Sequence, residues 1–279
     1  MFTPDLLVSD HWSNLNQQIT HWLLTNEKAL QWIVCKKLHR HCCIRNSLNR
    51  LMKLVADKEL EQSSVVANCK MNRERNLLGT NGYEKDLRFN PLDFLGTIVA
   101  KQGKANWLDL CCGSGKALID AAAIVDTENL PIEIIGVDLV GMFLPSSSNC
   151  LELVEASLTE WVPNGKFDLI TCVHGLHYIG DKLKLVARAR TWLSQQGKFV
   201  GNLDADNLWL GDSGPANQIT AAIRRSGMEY SSRTHLLSCK GWCDEPFPLS
   251  YLGADDKAGP NYTGQAAVNS HYTLSDSSD

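Results

Sequence analysis

The stretch "NWLDLCCGSGKALIDAA", Asn106 to Ala122, decides the fold. It begins as a strand-like apolar run, turns through Gly113-Ser114-Gly115 and continues as a helix-like run. Downstream the same alternation repeats. Apolar runs at Trp107–Leu110, Ile132–Val137, Leu151–Val154, Phe167–Val173 and Lys198–Leu203 predict strands. Helical spacing predicts helices over Lys116–Val125, Lys182–Leu193 and Ala216–Arg225, with a short one at Leu92–Ala100 leading in. Strand–helix alternation builds a mostly parallel α/β sheet covered on both faces. Between the second and third strands, "VGMFLPSSSN" is too short and too turn-rich for the usual crossover helix. Residues 229–275 predict two or three antiparallel strands at the C-terminal side, joined by Gly, Pro, Asp and Asn loops.

Upstream, residues 10–61 carry helical spacing (Leu30, Val34, Leu38; Leu48, Met52, Val55) without Gly or Pro. Turn signals at Asn81-Gly82 and Pro91 then announce the sheet domain. The organisation read from this is a helical N-terminal extension over 1–80, an α/β domain over 81–275 and a disordered tail over 276–279.

The 279 residues are 44% hydrophobic and 21% charged, a composition that supports a packed core. No apolar run reaches the ~18 residues of a membrane span. The first residues lack the basic start and apolar stretch of a secretory signal. The ten cysteines have no framework spacing, and several sit in apolar runs, as reduced thiols of a cytoplasmic protein do. The net charge of −4 is uneven: residues 1–80 hold 11 basic and 7 acidic residues, the remainder 16 and 24. Between Glu27 and Asp57 lie seven basic residues and no acid. Such a run is either the wet face of a helix or a track for a nucleic-acid backbone.

A phosphate loop needs Gly, four residues, then Gly-Lys-Ser/Thr. Here the first Gly position is Leu110, and Ala117 follows the lysine. A dinucleotide loop needs a third glycine where Leu118 stands. The arrangement Asp109, Cys111, Gly113, Gly115, followed by "IEIIGVDLV" and then "FDLITCVHGLHYIGD", resembles the class I, Rossmann-like methyltransferases that use S-adenosylmethionine. The resemblance covers roughly Tyr83 to Asp206, and Cys111 departs from a common glycine.

The resemblance implies that Asp109, Cys111, Gly113 and Gly115 line the methionine end of the donor. It implies Asp138 and Leu139 at the ribose and adenine edge, and Val173 beside the sulfonium. Ala156 and Ser157 fall where an aspartate usually meets the adenine amine. Tyr83 stands where relatives send an aromatic over the donor. His174, His177 and Tyr178 follow the fourth strand and are the candidate acid–base groups. The loop "YLGADDKAGPNYTG" carries Asp255 and Tyr262, candidates for contacting the acceptor.

"DADN" at Asp204–Asn207 lacks the partner aspartate of a magnesium site, and no metal is expected. His235, Cys239 and Cys243 lack the tight spacing of thiolate zinc sites; Cys35, His39 and Cys42 have the spacing of one helix face, where isolated core Cys and His are the commoner reading. The function expected is methyl transfer to oxygen or nitrogen of a small or medium-sized metabolite. The alternative is a nucleic-acid-associated or non-catalytic donor-binding protein that uses the basic helices. The oligomeric state stays open at this stage.

Overall fold

The computed structural model describes residues 54–63, 74–215 and 217–275. The helical reading of residues 10–53, its basic run, the Cys35, His39 and Cys42 group and the tail 276–279 lie outside them. In chain order the elements are α1 (Asp57–Glu61), α2 (Tyr83–Leu87), α3 (Pro91–Gln102), β1 (Ala105–Leu110), α4 (Lys116–Glu128), β2 (Ile132–Asp138) and β3 (Leu151–Glu155). Then come β4 (Phe167–Cys172), α5 (Lys182–Thr191), β5 (Leu193–Asn202), β6 (Leu208–Leu210) and α6 (Asn217–Arg225). The chain closes with β7 (Glu229–Ser231), β8 (Leu236–Lys240), β9 (Leu249–Asp255) and β10 (Asn269–Leu274).

Seven strands form one sheet in the order β3-β2-β1-β4-β5-β8-β7. The first five run parallel, and β8 is antiparallel to both β5 and β7. A second sheet, β6-β10-β9, pairs β10 parallel to β6 and antiparallel to β9. All described residues belong to one compact unit that starts at Lys53, so the boundary drawn at residue 80 falls inside it.

Side chains alternate across the sheet, as a strand's two-residue period requires. Trp107, Ile134, Leu169 and Val200 pack on one face with α3 and α4. Leu108, Leu110, Ile170 and Phe199 pack on the other with α5 and α6. Gly136 of β2 lets α4 approach closely: a Cβ there would sit 2.4 Å from Leu118 and 2.9 Å from the Cys112 sulfur.

Two sequence expectations need correcting. β5 starts at Leu193, directly after α5, where the pattern had predicted helix through Leu193 and strand only from Lys198. The residues after its first, Ser194–Gln196, are polar and carry no apolar signal, yet Leu193 pairs with Phe167 across a bulge. The C-terminal region holds four strands in two sheets rather than two or three, and β6, with only three residues, had no readable pattern. The crossover between β2 and β3 has no helix, as expected. Leu144 N instead donates to Ser114 O at 2.9 Å, tying that loop to the glycine turn.

The second sheet is clamped to the first by a buried lysine. Lys182, at the start of α5, is wholly buried and donates to Ile179 O, Val268 O and Ser270 Oγ at 2.9, 2.8 and 2.8 Å. Burial pushes its pKa down to about 7. The unfolded chain therefore keeps a proton that the fold sheds between about 7 and 10.5, and stability from this site rises with pH across that window. Lys182→Met, which leaves the acceptors unpaired, should cost about 2–4 kcal/mol in urea unfolding. The parent's advantage over it should grow from about pH 7 to about pH 10.

Candidate active site

Strand order reverses between β1 and β4, whose following loops leave in opposite directions. Parallel sheets bind ligands in the crevice this opens at the carboxyl ends. Beneath it lies Asp109, with no exposed surface. Tyr83 OH donates to its Oδ2 at 2.6 Å, and Thr171 donates to its Oδ1. Thr171 Oγ1 in turn accepts Trp107 Nε1–H at 2.8 Å. Burial, with the nearby Asp138 charge as a lesser cause, drives Asp109 up to about 7 against the lowering effect of its two hydroxyl donors.

The loop above is tightly wound. Cys111, Gly113 and Gly115 all have positive φ, at 60°, 63° and 74°. At Gly115, a Cβ would also meet Leu153 at 2.9 Å. Asp138, at the end of β2, accepts Gly113 N through Oδ2 at 2.9 Å and Val140 N through Oδ1 at 3.0 Å. From the β4 side, Gly175 closes against Cys111 so tightly that a Cβ would lie 2.3 Å from the Cys111 Cβ.

A cavity of about 80 Å³ opens between these loops. Cys111, Gly113, Asp138, Leu139, Val173, His174 and Tyr178 line it, so these sequence candidates come together. Others do not reach it. Tyr83 and Asp109 lie under the loop, and Gly115 faces Leu153 from the start of α4. Ala156 donates its N–H to Asp138 O, and Ser157 donates its hydroxyl to Glu61 Oε1. His177 is wholly buried and borders neither cavity nor cleft, because the short 3-10 turn Gly175–Tyr178 stacks it three residues behind His174, ring centroids 5.6 Å apart. Burial lowers its pKa well below the ordinary value.

The lining that sequence reading missed comes from α1. Asp57, Leu60 and Glu61 line the cavity, held by Tyr251 OH on Asp57 at 3.0 Å and by a backbone bridge between Val55 and Ala254. Nothing local in "DKELE" marks this; the contact from Glu61 to Ser157 spans 96 residues.

A second, open cleft of about 370 Å³ adjoins the first through His174. His174 Nε2 lies 3.4 Å from Asp86 Oδ2, an ion-pair distance without hydrogen-bond geometry, and Nδ1 lies 3.4 Å from Tyr262 OH. Burial raises the Asp86 carboxyl, but His174, Arg75 and Lys85 together hold it below its ordinary value. Tyr262 stacks on His235 with centroids 3.7 Å apart, and its N–H is pinned by Asp204 Oδ2 at 2.8 Å. Asp255 borders neither space and caps a turn through Lys257 N. Among the described residues, no three His, Cys, Asp or Glu side chains are grouped to hold a metal ion. No described helix is long and apolar enough to cross a membrane.

Residues 82–236 match the methyltransferase domain family, more than half of the chain. The chain belongs to that family. No curated protein matches it. Among solved structures, it is similar to an S-adenosylmethionine-dependent methyltransferase from Clostridium acetobutylicum (20% identity, 43% of this chain and 50% of that one, TM-score 0.30). It is also similar to CalS10, an amino pentose methyltransferase from Micromonospora echinaspora with bound SAM (18%, 55% and 59%, TM-score 0.33). A third is YjhP from E. coli (17%, 56% and 60%, TM-score 0.35). The chain spans about half the length of the first structures it matches.

S-adenosylmethionine is the donor of this superfamily, and the cavity's chemistry fits it. Asp138 is a carboxylate at the cavity wall, placed there by Gly113 N on one oxygen and Val140 N on the other, and a carboxylate is the group that accepts from ribose hydroxyls. Leu60, Leu139, Leu158 and Val173 supply apolar walls. The cavity is smaller than the ~300 Å³ at the low end of ligand pockets, with α1 forming part of its wall.

The Asp109 network predicts a pH effect. A carboxyl raised above its unfolded value contributes stability that is full below that value and lost as pH rises through about 7. In urea unfolding, the parent's advantage over Asp109→Asn should shrink between about pH 4 and about pH 7. A constant gap would remove Asp109 as a titrating group in that range.

Proposed function

We propose that the protein transfers a methyl group from S-adenosylmethionine to oxygen or nitrogen of a small metabolite, in the cytoplasm. One observation carries this reading: His174 borders both the donor cavity and the open cleft, so a reacting pair divided between the two spaces would meet at its ring. When bound, the donor supplies a methyl carbon already activated by its sulfonium. The protein's own work is to orient and to shield.

Asp138 receives the ribose hydroxyls, and Gly113 keeps the backbone low enough for the amino-acid end. Glu61, seated on Ser157 at the adenine side, takes over the amine contact that Ala156 and Ser157 cannot make. Tyr83 and Asp109 act as positioning residues by holding the loop from below. His174 accepts the acceptor's proton, and Asp86 stabilises the resulting imidazolium. The segment containing α1 is the cover that has to lift for the donor to enter.

Calorimetry with S-adenosylhomocysteine tests this. Asp138→Ala should weaken binding about ten- to hundredfold, the worth of hydrogen bonds to a charged acceptor. Glu61→Gln should lose affinity for the adenosyl compound and bind its inosyl analogue about as well as the parent does. Equal affinities in all three proteins would overturn the donor assignment.

A further inference from the structure

The open cleft has a charge that methyl transfer alone does not require. Arg75, Lys85, Arg88 and Arg233 border it, against Asp86 as the one carboxylate among its described lining residues. The cations arrive from two parts of the chain: Arg75, Lys85 and Arg88 from α2 and the residues flanking it, and Arg233 from the distant β7–β8 turn. A sequence-local charge run would leave them on one exposed face. Here they converge on a single concavity, where walls of low dielectric strengthen their field.

Two further observations point to a ligand. Arg75 is only 14% exposed, and its Nε is buried without a hydrogen-bond partner although its terminal nitrogen is spent on Asp86. Nδ1 of His235 is also buried without a partner. His235 has φ 54°, a strained conformation for a residue with a Cβ, and it stacks flat against Tyr262. Unpartnered buried polar atoms are rare in a native fold; both belong to residues that border the cleft, whose guanidinium and ammonium groups suit an anion bearing several acceptor oxygens.

We infer that this cleft binds the acceptor through an anionic group, a phosphate or carboxylate, which holds the acceptor's nucleophile toward His174. The word acceptor rests on the donor reading above; the anion site does not. Guanidinium groups match both oxyanions in a bidentate manner, and a cleft of about 370 Å³ has the size of a small-molecule site.

The test uses the full chain. Calorimetry with S-adenosylhomocysteine first reports on the donor reading alone. Inorganic phosphate and acetate are then titrated into the protein, with and without that compound, for the parent and for Arg88→Gln/Arg233→Gln. Saturable binding of either anion is expected, weakened about tenfold or more in the double variant. Affinity for S-adenosylhomocysteine and melting temperature should stay unchanged. A preference for phosphate assigns a phosphorylated acceptor, and a preference for acetate a carboxylate. No saturable binding of either anion, or equal binding by parent and variant, overturns the site even where the donor binds. Bulk tRNA binding more tightly than both anions, and lost in the double variant, would overturn the small-molecule assignment.

Discussion

A carboxylate with no exposed surface is expensive unless both oxygens are met. Asp109 is met by Thr171 from the neighbouring strand and by Tyr83 from α2, and Trp107 completes the chain through Thr171. Asp109 and Thr171 are partners in register, so the network locks β1 to β4 at the point where the strand order reverses. It also anchors α2. Three residues after Tyr83, one turn on, Asp86 reaches His174 and Arg75. One buried acid thus fixes the floor of the donor loop and, through a five-residue helix, the partner of the candidate base.

Backbone strain gathers at the same place. Five described residues other than glycine have positive φ: Arg88, Cys111, Asn129, His174 and His235. Arg88 and Asn129 end helices, where the left-handed conformation is ordinary. The other three stand in the loops around the two spaces. Cys111 and His174 follow β1 and β4, and Gly175 has no Cβ to push them apart. Strain of about 1–3 kcal/mol at each such residue persists only where the surroundings over-determine it. Here the Asp109 network and the Gly113–Asp138 bond do so.

Much of the sheet was legible because its strands are apolar runs broken by glycine and turn residues. β1, β2 and β4, with the loops after them, carry local signals, and Asp138 and Gly113 were found that way. What stayed hidden was non-local. Glu61 reaches the cavity across 96 residues, and Arg75, Asp86 and Arg233 meet only because α2 and the β7–β8 turn lie side by side. No periodicity encodes such meetings. His174 and His177 look equivalent in "VHGLHY", and both are buried, yet only His174 borders the two cavities, with His177 behind it on a 3-10 turn. The distinction rests on three residues per turn, which a helix pattern does not anticipate.

The second sheet explains how the two spaces are covered. Its β9 strand carries Ala254 and Tyr251, which hold the segment containing α1 over the donor cavity. The chain leaving β9 carries Tyr262 to the acceptor cleft, where Asp204 pins its N–H. Asp204 belongs to the "DADN" run, and its two oxygens accept Asp206 N and Tyr262 N, so the run serves the loop. Lys182 ties this sheet to the first helix turn after His177 and Tyr178. Both segments therefore hang from one antiparallel pair, β9 and β10, anchored beside the candidate base. The wall that α1 gives the first cavity and the aromatic wall that Tyr262 gives the second therefore rest on the same two strands.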